Sequence, residues 1–531
     1  MTARGGLLEH AALRIMQAGA IAVVLAAAPL KVFDLDRFFV PKELVLHVTA
    51  LLATALLLVR TRRFALGRAD QLVGLFLLLS TASALFATNW WWAGRALAIS
   101  LSGAACFWSA RTLAREGFGR DLLSALALAG VVGAVTALLQ TYGVRTEYVS
   151  LNRAPGGTFG NRNFVAHICA IAIPALVYVA TTAPSRRSFI GWALGTALVS
   201  AALILSRSRA AWLALLIGAV ILLPCVFMAL SRGRGSLRLR RLLALPIAAA
   251  LGGFAALVLP NTLDWRSDSP YMDTARSVVN YKQGSGHGRL VQYKNSLRMT
   301  LRHPLFGVGP GNWAVIYPRY ASNDDPSLAD DGTTANPWPS SDWVAFLSER
   351  GPPAFIVLAL AMLALAVDAV RAVRGARMPE ERLAACALLA TIAIVLVVGA
   401  FDAVLLLPAP ALIAWSLIGA LSAPSRERAV VDLPWILRPV VIAAAALIGG
   451  LAVLRSYSQL SAMALFNNGT RATQLERASA LDPGSYRIHL RLAQSYLLRG
   501  SCARVHAHAQ AAHALLPNAE KPKRMLEECR R

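Results

Sequence analysis

Long apolar runs separated by short polar loops set the pattern of the chain from near its start to about position 455. A helix needs about 20 largely apolar residues to cross a bilayer. Runs of that order stand at 14–30, 43–59, 70–87, 96–110, 121–141, 163–182, 189–206, 210–230, 242–260, 353–370, 383–401, 405–422 and 439–455. They predict an all-α, polytopic helical bundle of about 12–13 spans. Polar sequence breaks the pattern twice. The result is a set of spans over 1–260, a large loop at 261–352, further spans over 353–455 and a tail at 464–531.

The loops orient the bundle. Alternate connections, beginning with 60–69 and 111–120, hold 21 lysines and arginines in 65 residues, while the intervening set holds 9 in 47. The basic set is expected to be cytoplasmic. That puts the N-terminus inside and places 261–352 and everything after 456 outside. Arg4 and Arg14 precede an apolar run in the manner of a signal peptide. A second span follows within fifteen residues, which favours an uncleaved first span.

Both polar regions carry helical signals. Leu290, Tyr293, Leu297 and Leu301 recur at helical spacing before His303-Pro304. A second run, 341–350, starts behind Ser340 and Ser341, which suit an N-cap. In the tail, Ala478-Ser-Ala-Leu-Asp-Pro483 returns as Ala512-His-Ala-Leu-Leu-Pro517, a displacement of 34 residues. That is the tetratricopeptide period of two antiparallel helices per unit. One complete unit is too few for a free-standing solenoid, so the tail is expected to pack on the membrane domain or on a partner. Cys502 and Cys529 lie at opposite ends of successive tail helices, which an antiparallel pair would bring together, permitting a disulfide. Cys106, Cys169, Cys225 and Cys386 sit in apolar spans and read as small core residues.

Composition narrows the function. Hydrophobic residues make up 56%, charged residues 15%, and the mean hydropathy is +0.53. A soluble domain carries roughly 25% charge, so a cytosolic enzyme is excluded. The net charge of +25 is explained by loop topology and needs no nucleic-acid partner. There is no CxxC, HExxH, Walker or dinucleotide motif, and no zinc-type ligand spacing. The expectation is therefore no metal and no cofactor.

Charges beside spans are costly and mark function. Ser206-Arg-Ser-Arg209-Ala-Ala-Trp212 sets two arginines between apolar runs on the outer side, against the orientation rule. The alternative for Arg207 and Arg209 is a tight hairpin with snorkelling side chains. Gly284-Ser-Gly-His-Gly-Arg-Leu290 puts His287 and Arg289 at the opening of the amphipathic run. It reads either as an anion-binding helix start or as a flexible lead into a helix. Gly307-Val-Gly-Pro-Gly311-Asn-Trp313 reads as a structural turn. In Gly156-Gly-Thr-Phe-Gly160-Asn-Arg-Asn163, Asn161 and Asn163 either cap a helix or bind a polar ligand.

In this order the motifs resemble the O-antigen ligase/O-antigen polymerase superfamily over about residues 70–422, and the tail resembles a tetratricopeptide extension. The resemblance implies a metal-independent, inverting glycosyltransferase at the periplasmic face of the bacterial inner membrane. Its donor would be a glycan on undecaprenyl diphosphate. Its acceptor would be a glycan, a lipid A-core sugar or a protein hydroxyl. An envelope protein partner would bind through the tail. Arg209 and Arg289 match the positions expected to neutralise the leaving diphosphate, with Arg207 as helper; guanidinium forks suit phosphate oxygens.

The pattern departs from the family at one position. Counting back from Glu349-Arg-Gly351, Ser340 stands where the family places a histidine. Serine is no general base without an activating partner. His287 and Asp342 are the candidate replacements, and histidine has the better unperturbed pKa. Alternatives of other kinds are a protein O-oligosaccharyltransferase and an inactive scaffold of an envelope polysaccharide machine. A flippase is disfavoured, because the notable charges gather at one face.

Overall fold

The computed structural model describes residues 6–29, 35–61, 63–144, 154–231, 236–265, 267–276, 284–376, 378–422, 429–432, 434–468 and 471–529. The first helices are α1 (Leu7–Leu25), α2 (Val40–Arg60), α3 (Arg68–Ala84), α4 (Trp90–Leu113) and α5 (Gly119–Thr141). After them come α6 (Arg162–Thr181), α7 (Arg186–Ser206), α8 (Arg209–Ser231) and α9 (Ser236–Val258). The large loop contributes α10 (Pro270–Arg276), α11 (Gly284–Arg302) and the short α12 (Trp313–Ile316). Then follow α13 (Asp342–Gly375), α14 (Pro379–Phe401), α15 (Pro408–Leu421) and α16 (Leu437–Asn468). The tail is α17 (Ala472–Leu481), α18 (Tyr486–Leu497), α19 (Cys502–Leu515) and α20 (Glu520–Glu528).

Among the described residues nine helical stretches are long and apolar enough to cross a membrane, with Arg209–Pro224 and Pro408–Leu421 as shorter apolar helices. The longest, Trp90–Thr141, is two helices parted at Gly117, whose φ of 90° no regular helix accepts. The chain is thus a multi-pass membrane protein. One small departure from an all-helical chain is a two-stranded antiparallel ribbon, β1 (Arg63–Leu66) with β2 (Ala429–Asp432), in which Arg63 faces Asp432.

The chain forms two compact units. The first comprises Met1–Val73, Ile99–Val279 and Ala359–Gly450; the second comprises Gly74–Ala98, Asn280–Leu358 and Leu451–Arg531. In the first, α6 and α15 are almost wholly buried. Small residues let helix backbones approach closely there. A Cβ on Gly252 would stand 2.0 Å from the Ala197 carbonyl oxygen, and one on Gly130 would stand 2.3 Å from the Ala172 methyl. Cys106, Cys169 and Cys386 are buried thiols, as expected for core positions; the side chain of Cys225 lies outside the described residues. On the opposite polarity, Asp70 and Arg111 are both buried and joined at 2.7 Å, with Trp108 donating to the same carboxylate at 3.1 Å. A buried charge pair of this kind is tolerable because each partner is hydrogen-bonded.

In the second unit the tail packs on the large loop. Leu516 and Ala519, in the α19–α20 turn, join a core with Met299, Val308, Trp313 and Tyr317. The Asn518 amide donates to the Val315 carbonyl at 3.1 Å, and the Glu520 N–H donates to the Asp331 carbonyl at 2.9 Å. The two copies of the 34-residue repeat close α17 and α19 respectively. Cys502 and Cys529 form a disulfide, their Cα atoms 5.4 Å apart.

The tail also holds a polar chain built on two buried histidines. Glu476 accepts from Tyr496 at 2.8 Å and from Arg504 at 3.0 Å, and lies 3.1 Å from His508 Nε2. The Nδ1 atoms of His508 and His489 are 3.1 Å apart, and His489 Nε2 is 3.1 Å from the Pro483 carbonyl. Two facing Nδ1 atoms share one proton, so a second would set N–H against N–H. Burial lowers the His489 pKa, and the neighbouring imidazole adds to the effect. Burial pushes the Glu476 carboxyl up, but its hydrogen bonds outweigh that and leave it below the usual range.

A histidine whose folded pKa is depressed binds more protons when unfolded, so stability falls as pH drops below about 6.5. The Glu476 contribution is lost on further acidification, below about 4.5. The melting temperature of the tail in the full chain should therefore decline from about pH 7 to about pH 5. His489→Gln should flatten that slope. A pH-independent melt of the wild-type tail would contradict this account.

Candidate active site

At one end of the first unit the sequence Gly156–Asn163 builds a tight corner. The Gln140 side-chain oxygen accepts from the N–H groups of Gly156 and Gly157, both at 2.8 Å. Gly157 and Gly160 have φ of 49° and 68°, and a Cβ on Gly160 would stand 2.4 Å from the Phe38 ring. Only glycine meets both demands. Asn161 then caps α6, accepting from the Asn163 N–H at 3.0 Å. Asn163 is a half-buried residue of the first turn.

This corner is surrounded by cations. Lys42 donates to the Thr158 carbonyl at 2.9 Å and lies 3.6 Å from the centre of the Phe159 ring. Arg37 stands over Phe38 at 4.3 Å, and burial pushes its pKa down to about 10. Arg162 and Arg207 both lie against the Trp265 ring, at 5.2 and 4.6 Å. Arg207 ends α7 in the left-handed conformation, φ 53°, an uncommon state for a residue with a Cβ. Its Nε donates to the Thr274 hydroxyl at 2.8 Å, and that hydroxyl donates to the Pro270 carbonyl. Burial lowers the Arg207 pKa, opposed by Tyr271 and Asp273. Arg209 opens α8 two residues on and is half-buried. Five cations thus occupy the start of α2, the start of α6 and the α7–α8 corner. Among them, Arg207 has Asp273 and Tyr271 within electrostatic reach.

Arg37 and Lys42 are not among the residues that the sequence singles out. Their signal is available as charges at the mouth of the second span. Trp265 has no such signal, because nothing in its neighbourhood marks it as a platform for two guanidinium groups.

The second unit holds the other sequence-derived residues. Helix α11 begins at Gly284, five residues before Arg289, so the glycines form its first turn and do not precede it. Residues two apart on a helix point apart. His287 is exposed, on the face of Lys294 and Leu297, while half-buried Arg289 lies toward Gln292, Ser296 and Thr300, which are buried. The helix therefore separates His287 from Arg289. Ser340 instead docks on the Arg289 side. Its N–H donates to the Gln292 side-chain oxygen at 2.6 Å, and the Tyr293 hydroxyl donates to its carbonyl at 2.8 Å. Gln292 and Tyr293 are three and four residues beyond Arg289, one helical turn. Ser341 provides the cap of α13 by accepting from the Val344 N–H at 3.4 Å. Asp342 is buried in the first turn, and its charge is felt by Arg350, which stands over the rings of Phe346 and Phe76 at 4.6 and 5.3 Å.

The Gly307–Gly311 segment is the structural turn that its sequence suggests. All three of its glycines have positive φ, from 63° to 94°. The Glu349 carboxylate accepts from the Gly311 N–H at 2.8 Å and the Trp313 N–H at 3.2 Å. Among the described residues no group of three or more histidine, cysteine, aspartate or glutamate side chains is arranged to hold a metal ion.

Residues 194–359 match a family model described as O-antigen ligase. The matched segment contains Arg207, Arg209, His287, Arg289, Ser340 and Asp342, and leaves out Asn161 and Asn163. No curated protein matches the chain. The match points to a glycosyltransferase-type enzyme of the membrane, with a lipid-linked glycan donor and a glycan acceptor.

Gln292 is the connection that sequence reasoning missed, since a lone glutamine in an amphipathic helix carries no signal. It is buried and also donates to the Ser327 hydroxyl at 3.1 Å. Gln292→Ala leaves the Ser340 N–H without its acceptor, at about 1–3 kcal/mol. Limited proteolysis should then cut the 327–340 segment faster than in the wild type. Unchanged cleavage would show that Gln292 does not hold that segment.

Proposed function

We propose that the protein moves a glycan from undecaprenyl diphosphate to an acceptor hydroxyl at the periplasmic face of the bacterial inner membrane, as an O-antigen ligase or polysaccharide polymerase. The observation that carries this reading is the cationic corner of the first unit. Arg207 is fixed there by Trp265 and Thr274, within the segment that matches the ligase family. The acceptor oxygen attacks the anomeric carbon as the bond to the diphosphate oxygen breaks, and attack from the opposite face inverts the centre. Undecaprenyl diphosphate leaves with the bonding electrons. Preorganised guanidinium groups stabilise the charge that develops on it, without a metal. Arg209 carries that role with Arg207 as its helper, and Arg289 retains the role that the family resemblance implies.

The acceptor proton passes to a side chain other than Ser340. Asp342 lies two residues beyond Ser340, whose backbone sits on the Arg289 side of α11, whereas His287 projects from the other face. The reading therefore assigns the proton to Asp342. The same chemistry serves a growing glycan, a lipid A-core sugar or a protein hydroxyl. One observation favours a second reading, an inactive scaffold: Ser340 occupies the family's histidine position.

In a deletion strain, single repeat units without long chains identify a polymerase, and long chains stranded on the lipid carrier identify a ligase. An unchanged profile of surface and lipid-linked glycan overturns the proposal. Arg209→Lys and Arg289→Lys keep the charge but lose the fork. Each should lower transfer by about 10²-fold or more at matched expression. Full transfer by both would remove them from the diphosphate.

Asp342→Asn should slow transfer by about 10²–10⁴-fold, while His287→Ala should leave it near wild type. A pH–rate profile provides the independent check. A rise centred well below neutrality belongs to an aspartate, and one near pH 6.5 belongs to a histidine. Ser340→His should raise activity if the remainder of the family-type site is intact.

A further inference from the structure

Helix α11 presents its apolar stripe outward. Leu290, Leu297 and Leu301 fall within about 40° of one another on the helical wheel. They are 50%, 51% and 72% exposed, while the opposite face buries Gln292, Asn295, Ser296 and Met299. Beside the leucines run Lys294, Arg298 and Arg302, all exposed. A soluble surface rarely sets leucines in a row, and water alone gives no reason for this one.

The stripe does not stop at the end of the helix. Leu305, 65% exposed, continues it, and the turn after His303 reaches the end of α3 in the same unit. There Phe86 stacks on Phe306, ring centres 4.7 Å apart, with Leu85 and Trp90 exposed alongside. Between these segments lies a pocket of about 350 Å³, lined by Phe86, His303, Pro304, Leu305, Phe306 and Ile316 among others. The apolar surface is thus continuous from α11 to the connection between two apolar helices.

We infer that α11 is an interfacial helix, lying along the surface of the membrane leaflet on its own side and docking to anionic phospholipid. Its leucines enter the boundary between headgroups and acyl chains, and Lys294, Arg298 and Arg302 meet phosphate groups. An apolar stripe edged by cations is the combination that such a surface selects. An acidic protein surface would answer the cations alone, whereas a bilayer accounts for both the cationic edge and the exposed apolar continuity with the α3 end. Arg289, toward the inner side of the same helix, is then held near headgroup level, the depth at which a lipid diphosphate is carried. That corollary rests on the transferase reading; the docking itself does not.

The test uses the full chain in vesicles of phosphatidylcholine and phosphatidylglycerol, on a Cys225→Ser background. A bimane probe is attached to Leu301→Cys and, separately, to Leu498→Cys. Leu498 is 91% exposed in the tail and stands outside the stripe. Both side chains are on the surface, so the core is untouched. Phosphatidylcholine bearing a doxyl group high on the acyl chain should quench most of the fluorescence at 301 and almost none at 498. Quenching at 301 should weaken without phosphatidylglycerol, and again in Lys294→Gln/Arg298→Gln/Arg302→Gln. A probe at 301 no more quenched than one at 498 overturns the docking. Quenching indifferent to both phosphatidylglycerol and the three cations overturns the anionic partner. Neither readout depends on glycan transfer, so a failed docking and a failed transferase reading are told apart.

Discussion

The buried carboxylate of Glu349 organises the second unit. A carboxylate out of water is tolerable only when its oxygens are answered, and here the N–H groups of Gly311 and Trp313 answer them. Its backbone takes part as well, the Gly309 N–H and the Ser83 hydroxyl both donating to the Glu349 carbonyl. To wrap so closely, the turn needs Gly307, Gly309 and Gly311 in conformations closed to other residues; a Cβ on Gly307 would stand 2.4 Å from the Glu349 backbone. At Gly351, φ 82°, α13 departs from helical geometry directly after the clamp. The turn in turn places Trp313, whose indole donates to Ser296 on α11 at 2.9 Å. The position of α11 relative to the segment before α13, and so of Arg289 relative to Ser340, follows from this arrangement.

The first unit meets the opposite problem, since its corner gathers cations. Aromatic rings are part of the solution: Phe38, Phe159 and Trp265 each lie against a cation. A ring face attracts positive charge without cancelling it. Asp273 adds a carboxylate within electrostatic reach of Arg207, so ring faces and a counter-charge act together there. Under the transferase reading, the ring faces hold the guanidinium groups in place for an incoming diphosphate.

Much of this is legible in the sequence alone. Hydropathy marks the membrane helices because the lipid imposes length and composition on each one independently. Asn161 reads as a cap, the Gly307–Gly311 segment as a turn, and Cys502 with Cys529 as a possible pair, because each is a local or nearest-neighbour feature. What was hidden depends on contacts between distant parts of the chain. Trp265 becomes a platform only once Arg162 and Arg207 converge on it. Gln292 matters only because Ser340, 48 residues away, lands on it. The glycines before Arg289 read as a loop because glycine is a poor helix former, yet a first turn tolerates it. The outward aim of the leucines on α11 was also out of reach, since periodicity reveals a stripe and not what covers it.

The tail shows the same limit in another form. The 34-residue repeat indicates paired helices, but it is silent on the surface they use. In the structure the α19–α20 turn is committed to the loop: Leu516 and Ala519 are in the core with Trp313, and Asn518 and Glu520 hold Val315 and Asp331. At the other end Asp482 accepts from the Trp91 indole at 2.6 Å. These surfaces are already occupied and have nothing to offer another protein. The α18–α19 turn, with exposed Leu498 and Gly500, takes no part in these contacts. A tail held at both ends also braces the loop that carries Ser340. What the structure gives the tail is thus a packing task, completing the core of the second unit with the loop.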